Sequence, residues 1–97
     1  MSYKINLALQ ILPKANDKNT YAIIDKAIGV IQNSGLKYIV CPFETVIEGT
    51  YEEVMKISRE AQDICFEYGA TELIVNIKIQ RAIDRDIFID DKLAKYK

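Results

Sequence analysis

Apolar residues recur along this chain at two different periods, and the two periods predict different elements. Every second residue from Ile5 to Ile11 is apolar, which indicates a strand with one buried face that ends at Pro13. Isoleucines and alanines at helical spacing follow this strand, and a second helical pattern lies in the middle of the chain. The predicted strands cover residues 4–12, 37–41, 43–48 and 72–80, and the predicted helices cover residues 20–34 and 51–68.

Capping residues mark the ends of both helices. Asn19 or Thr20 can cap the first helix, and Gly35 suits the left-handed position that follows its last turn. Thr50 and Glu53 have the spacing of a capping box, so the second helix is predicted to begin directly after Thr50.

The resulting order, β-α-β-β-α-β, predicts a ferredoxin-like α+β sandwich. Right-handed crossovers give an antiparallel sheet in the strand order 4-1-3-2, with both helices on one face. The strands at 37–41 and 43–48 are predicted to form a hairpin. The charged residues 81–97 are expected to form a turn near 84–86 and a short helix that begins near Asp90. The chain length of 97 residues predicts that residues 1–97 form a single domain.

Two helices cover one face of a four-stranded sheet, so the other face must be solvated or paired. We call this second face the open face. Its predicted residues on strands one and four are Asn6, Ala8, Gln10, Leu12, Ile74, Asn76, Lys78 and Gln80. Their mixture of polar and apolar side chains suits a sheet-on-sheet dimer. Strand three can present either of two sets to this face, one made of Phe43, Thr45 and Ile47 and the other of Glu44, Val46 and Glu48.

The amino-acid composition excludes several classes of catalysis, metal site and partner. The chain has no histidine, which excludes Ser-His and Cys-His catalysis and histidine-ligated zinc. Thirteen basic residues are scattered among fourteen acidic ones, so no nucleic-acid partner is expected. No apolar run approaches the roughly 18–20 residues of a membrane span, so no membrane partner is expected. Cys41 and Cys65 are far apart and predict small buried side chains rather than a metal site. No signal peptide, metal site, cofactor site or phosphate-binding glycine loop is recognised, and a cytoplasmic location is the expectation.

Ligand binding is the class that the remaining side chains favour. Gln10 and Asn76 are predicted to lie on neighbouring strands, and each amide offers a donor beside an acceptor, as a ring nitrogen next to an exocyclic amine requires. Further candidates are the Thr45 hydroxyl, the Phe43 or Tyr38 ring for stacking, and the Glu48 carboxylate for a cationic ligand. The alternative role for the amides is hydrogen bonding across a dimer interface.

Several short motifs resemble a known family. They are Gln10-Ile11-Leu12-Pro13, Ser34-Gly35-Leu36-Lys37-Tyr38, Pro42-Phe43-Glu44-Thr45, Ile47-Glu48-Gly49, Tyr51-Glu52-Glu53-Val54-Met55, Ile77-Lys78-Ile79 and Asp91-Lys92. In this order they resemble the small ferredoxin-like thiamine-binding proteins over essentially the whole chain. The most specific part is the stretch from Thr45 to Gly49 followed by Tyr51.

The resemblance implies a protein that pairs through its sheets, often as a tetramer built from two dimers. It also implies non-catalytic binding of thiamine or its hydroxymethylpyrimidine moiety near subunit interfaces. The residues expected around this ligand are Gln10, Phe43, Thr45, Glu48, Asn76 and Lys78. Two other hypotheses are a structural or regulatory oligomerisation module without a vitamin ligand, and an enzyme that uses Glu48 or Lys78 as an acid or base.

Overall fold

The ferredoxin-like prediction is confirmed by the computed structural model, which describes residues 2–16 and 19–96. The elements are β1 (Lys4–Lys14), α1 (Thr20–Gln32), β2 (Lys37–Val40), β3 (Thr45–Thr50), α2 (Tyr51–Glu67), β4 (Glu72–Gln80) and α3 (Ile89–Leu93), followed by a 3₁₀ turn at Ala94–Tyr96. The antiparallel sheet has the order β2-β3-β1-β4. This is the predicted order 4-1-3-2 read from its other end. Of the loop predicted after Pro13, residues 17 and 18 lie outside the described residues.

The hydrophobic core lies between one face of the sheet and the two long helices. Alternate residues of β1 are buried against one stripe of each helix, as the period of two predicts. The main core residues are Ile5, Leu7, Leu9, Ile11, Ile23, Ala27, Ile31, Ile47, Val54, Ala61 and Cys65. In α1 the fully buried stripe runs through Ile23, Ala27 and Ile31, whereas Ile24 and Ile28 are half-buried.

The pairing register settles the orientation of β3. Thr45 and Ile47 lie opposite Leu9 and Leu7 of β1 and are buried on the helix side. Val46 lies opposite Ala8 and Glu48 opposite Asn6, so these side chains belong to the open face. The strand begins two residues later than predicted, because residues 41–44 form the hairpin loop, which is closed by a hydrogen bond from Cys41 N to Glu44 O. Pro42 in this loop has no N–H to donate to a strand ladder.

The C-terminal segment, residues 84–96, crosses one half of the open face, which the sequence pattern did not predict. Two of its own side chains, Ile87 and Ile89, are buried. Asn6 Nδ2 donates to Ile87 O over 3.1 Å, and Lys92 Nζ donates to Asn6 Oδ1 over 2.8 Å. One half of the open face is therefore covered within a single protomer, and the other half stays exposed.

Replacing Thr50 with alanine is expected to lower the free energy of unfolding by about 1 kcal/mol, because it removes the N-cap of α2. Thr50 Oγ1 accepts from Glu53 N over 3.2 Å, and Thr50 N donates to Glu53 Oε1 over 2.8 Å. Urea unfolding measures the change, and Glu52→Ala in the same helical turn is the control, since it leaves both hydrogen bonds in place. A Thr50→Ala protein as stable as the control would contradict the capping role.

The same capping box makes part of the stability of α2 depend on pH. The hydrogen bonds that Glu53 shares with Thr50 hold the pKa of the Glu53 carboxyl below its usual value. Because the folded-state pKa is lowered, this contribution is present above the unfolded pKa and is lost as the pH falls through the folded one. Comparison of acid unfolding in the parent protein and in Glu53→Gln measures this pH-dependent contribution, which should be absent from the variant.

Candidate functional site

Two amide side chains face each other at the centre of the exposed half of the open face. Gln10 on β1 and Asn76 on β4 are register partners, and Asn76 Nδ2 donates to Gln10 Oε1 over 3.1 Å. We call these two side chains the amide pair. Within residues 2–16 and 19–96, no further hydrogen bond occupies Gln10 Nε2 or Asn76 Oδ1. The amide pair therefore presents an unused donor beside an unused acceptor.

An ion pair lies next to the amide pair. Lys78 Nζ on β4 and Glu44 Oε1 at the end of the hairpin loop are 3.4 Å apart. This contact spans β1 above Ala8, the register partner of Lys78, whose single methyl group leaves room for it. The Lys78 side chain is largely exposed, whereas the Glu44 side chain is about two-thirds buried, with 30% of its surface exposed. The carboxylate is therefore the more fixed member of the pair.

A cleft of about 410 Å³ opens beside these polar groups, between α1, the end of β1 and the hairpin loop. Its walls are mainly apolar, and its lining includes Gln10, Leu12, Tyr21, Phe43, Glu44 and Thr45. Tyr21 and Phe43 are both highly exposed, with 81% of the Phe43 surface accessible. Exposed aromatic rings at the rim of an apolar cleft are suited to stacking on a flat ligand. Ile24 and Ile28 line the same cleft, which explains why they are only half-buried.

Glu48 lies apart from this group. Its carboxylate is buried, with 6% of the residue exposed, and Oε1 accepts from Ile89 N over 2.6 Å at the first turn of α3. Glu48 faces Asn6 across the sheet, four residues along β1 from Gln10, which corresponds to about 13 Å. Among the described contacts, its carboxylate anchors the C-terminal segment.

The structure thus divides the six residues expected around the ligand into three groups. Gln10, Asn76 and Lys78 share the exposed half of the open face. Phe43 and Thr45 line the adjoining cleft, and Thr45 is buried on the helix side of the sheet. Glu48 lies beneath the C-terminal segment. Sequence reasoning did not select Glu44 for the ligand site, although it grouped Glu44 with Val46 and Glu48 in one of the two sets that strand three could present to the open face.

The described residues contain little that suggests other chemistry. Burial raises the pKa of the Cys65 thiol, which disfavours its nucleophilic thiolate form. No cluster of three or more histidine, cysteine, aspartate or glutamate side chains in residues 2–16 and 19–96 is placed to hold a metal ion. No helix in these ranges combines the length and the apolar character that crossing a membrane requires.

The Asp90 carboxylate lies next to Lys37 at the other end of the open face. Lys37 Nζ donates to Asp90 Oδ2 over 2.9 Å, and this contact raises the pKa of the Lys37 ammonium group. Both groups are exposed, so the pair contributes little to stability. It ties the C-terminal segment to β2 and is remote from the amide pair.

The chain is similar to known proteins in both sequence and structure. A family model described as thiamine-binding protein matches residues 7–97. A UPF0045 protein from Clostridium perfringens is 37% identical over 92 residues, which cover 95% of this chain and 96% of the relative.

Two solved structures share the fold over nearly their whole length. A domain of unknown function from Bacillus cereus superposes with a TM-score of 0.96 at 35% identity, covering 99% of this chain and 92% of its own. A Thermotoga maritima protein assigned provisionally to thiamine biosynthesis or salvage gives a TM-score of 0.86 at 29% identity, with coverages of 97% and 99%.

Proposed function

Because the chain belongs to the thiamine-binding protein family, we propose that it binds thiamine or its hydroxymethylpyrimidine moiety without catalysing a reaction. The observation that carries this proposal is the amide pair, in which Gln10 Nε2 and Asn76 Oδ1 have no hydrogen-bond partner among the described residues. An aminopyrimidine offers a ring nitrogen acceptor next to an amino donor. The amide pair offers the complementary order of donor and acceptor.

The cleft supplies the apolar contacts that such a ligand needs. Small-molecule sites combine mainly apolar walls with a few polar groups that fix the orientation. In our proposal the pyrimidine lies at the amide pair, and the thiazolium ring of thiamine lies towards Glu44 with Phe43 beside it. Thr45 borders the same space. No phosphate-binding loop is recognised in the sequence, which favours unphosphorylated thiamine over its diphosphate.

Assembly is the second part of the proposal. The C-terminal segment leaves only the half of the open face around Ala8, Gln10 and Leu12 uncovered. Leu12 and Ile74 are register partners there and are both exposed. We propose that a second copy packs on this half, so that the ligand is enclosed at a subunit interface in a homodimer or a dimer of dimers. Exposed apolar side chains that are rimmed by polar ones favour such a contact.

Isothermal titration calorimetry with thiamine and with hydroxymethylpyrimidine tests the function directly. We expect saturable heat for at least one of them, together with a rise in the thermal unfolding temperature, because a ligand that binds only the folded state stabilises it. If neither compound gives heat or a thermal shift at millimolar concentration, the binding proposal is wrong. A protein that forms oligomers but binds neither compound would favour the alternative function, a structural oligomerisation module. The exposed side chains of Leu12 and Ile74 are compatible with that function as well.

The Glu44→Gln variant is expected to weaken thiamine binding by about threefold and to leave hydroxymethylpyrimidine binding unchanged. Only thiamine carries a permanent cation, and a partly buried carboxylate attracts it more strongly than a neutral amide does. Titration of both ligands into both proteins measures the ratio. Glu67→Gln at the exposed end of α2 is the control for loss of one negative charge, and equal losses for the two ligands would contradict the role of Glu44.

A further inference from the structure

A second cavity, of about 540 Å³, lies at the end of the sheet where β1 and α2 begin. Its lining comes from the residues around the start of β1, from the first turn of α2 and from the residues that follow β4. Ile5 lines it and is a core residue on the helix side of the sheet. The cavity is therefore separate from the amide pair, which lies on the open face, five residues or roughly 16 Å further along β1.

Arg81 provides the positive charge of this cavity. Its guanidinium carbon lies 4.9 Å from the centre of the Tyr51 ring. A guanidinium group that stacks on a ring keeps the N–H donors at its edge free, and their fork matches a carboxylate in a bidentate manner. Arg81 forms no ion pair and no side-chain hydrogen bond with residues 2–16 and 19–96. Its donors are therefore available to a ligand.

Glu52 provides a negative charge in the same cavity. It lies in the first turn of α2, where the helix dipole favours a carboxylate. Like Arg81, Glu52 has no ion-pair partner in the part of the chain that the structure describes. The two opposite charges thus line one cavity without pairing with each other. A ligand that carries both a carboxylate and an ammonium group complements both of them, whereas Glu52 repels a phosphate dianion.

The rest of the lining is largely apolar. Tyr3 is half-buried, and Ile83 is 95% exposed at the edge of the cavity. A ligand ring that contacts these two side chains removes apolar surface from water, and an aromatic ring can also pack on Tyr3 in an offset or edge-to-face arrangement. The volume of the cavity falls within the roughly 300–1,000 Å³ that is usual for small-molecule sites.

We propose that this cavity is a second binding site, for a small zwitterion that combines a carboxylate, an ammonium group and a flat apolar ring. That is the chemistry of a free aromatic amino acid. The carboxylate lies at Arg81, the ammonium group at Glu52, and the ring at Tyr3 and Ile83. The inference does not rest on the proposed function, because this cavity shares no lining residue with the cleft beside the amide pair.

Calorimetric titration with L-phenylalanine and three analogues tests the ligand class. L-Phenylalanine is expected to give saturable heat and to raise the thermal unfolding temperature. Phenylpropanoate lacks the ammonium group, phenethylamine lacks the carboxylate and L-alanine lacks the ring, so each should bind at least about tenfold more weakly. If L-phenylalanine gives no saturable heat at millimolar concentration, or if phenylpropanoate or phenethylamine binds equally well, the proposal is wrong.

A variant of Arg81 locates the binding site. Arg81→Gln is expected to weaken L-phenylalanine binding at least about tenfold and to change phenethylamine binding much less, because that analogue has no carboxylate for the guanidinium group. Arg59→Gln is the matched control. Arg59 is an exposed arginine of α2 that faces Asp63 outside the cavity, so its loss should leave both affinities unchanged. If Arg81→Gln is folded by circular dichroism and binds L-phenylalanine like the parent protein, the proposal is overturned.

Thiamine separates this site from the one on the open face. We expect Arg81→Gln to bind thiamine like the parent protein, and we expect L-phenylalanine to bind equally well in the presence of thiamine. Displacement of L-phenylalanine by thiamine would show one shared site and would contradict a second one. If thiamine does not bind at all, the titrations with L-phenylalanine are unaffected, so the two proposals fail separately.

Discussion

Replacing Glu48 with alanine is expected to lower the free energy of unfolding by about 2 kcal/mol and to release the C-terminal segment. The Glu48 carboxylate accepts from Ile89 N over 2.6 Å in a buried position. Hydrogen bonds to charged groups contribute about 1.5–3 kcal/mol, and the loss of the acceptor leaves the Ile89 N–H without a partner. Urea unfolding measures the global change, and tryptic cleavage after Lys92, which is tied to Asn6, measures the local release.

Glu48→Gln is the matched control, because its amide oxygen can still accept from Ile89 N. We expect most of the stability to return and cleavage after Lys92 to slow again. The same variant separates the two candidate carboxylates, because our proposal places the thiazolium at Glu44. If Glu48→Gln keeps its stability but loses thiamine affinity, Glu48 contacts the ligand and its contact with the C-terminal segment is secondary.

The alternation of polar and apolar residues was sufficient to predict the two faces of β1 and β4, and the sheet order followed from the order of the elements and right-handed crossovers. That success has a physical basis, since the side-chain period of a strand is two and one face of each strand is buried. The same rule was insufficient for residues 43–48, where both faces carry apolar side chains. The hydrogen-bonded register with β1 is a long-range property, and only the structure assigns Thr45 and Ile47 to the core.

The C-terminal segment explains why only some of the residues predicted around the ligand lie together. Its sequence predicted a turn and a short helix near Asp90, and α3 begins at Ile89. Nothing in that local pattern indicates that Ile87 and Ile89 pack onto the open face, because docking depends on side chains more than forty residues away in sequence. Asn6 and Glu48 became anchors of this segment for that reason. The candidate site therefore lies at Gln10, Glu44 and Asn76, on the half of the open face that this segment does not cover.

Replacing Gln10 with alanine is expected to reduce the affinity for both thiamine and hydroxymethylpyrimidine at least about tenfold. The pyrimidine is common to the two ligands, and a site that hydrogen-bonds a ligand amine discriminates strongly once one of its polar partners is lost. Removal of Gln10 also takes away the acceptor for Asn76 Nδ2, so the second amide loses its fixed orientation. Calorimetric titration gives both affinities, and the loss should be of similar size for the two ligands, unlike the loss expected for Glu44→Gln.

Gln80→Ala is the control for this experiment, because Gln80 is an exposed amide at the far end of β4 on the same face. It should leave both affinities unchanged. Sedimentation of Gln10→Ala distinguishes ligand recognition from the alternative role of the amides, which is hydrogen bonding across a subunit interface. If the variant associates more weakly while its affinity for both ligands equals that of the parent protein, the amide pair belongs to an interface and the ligand site lies elsewhere. If association is retained and both affinities fall, recognition of the pyrimidine is the role of these two side chains.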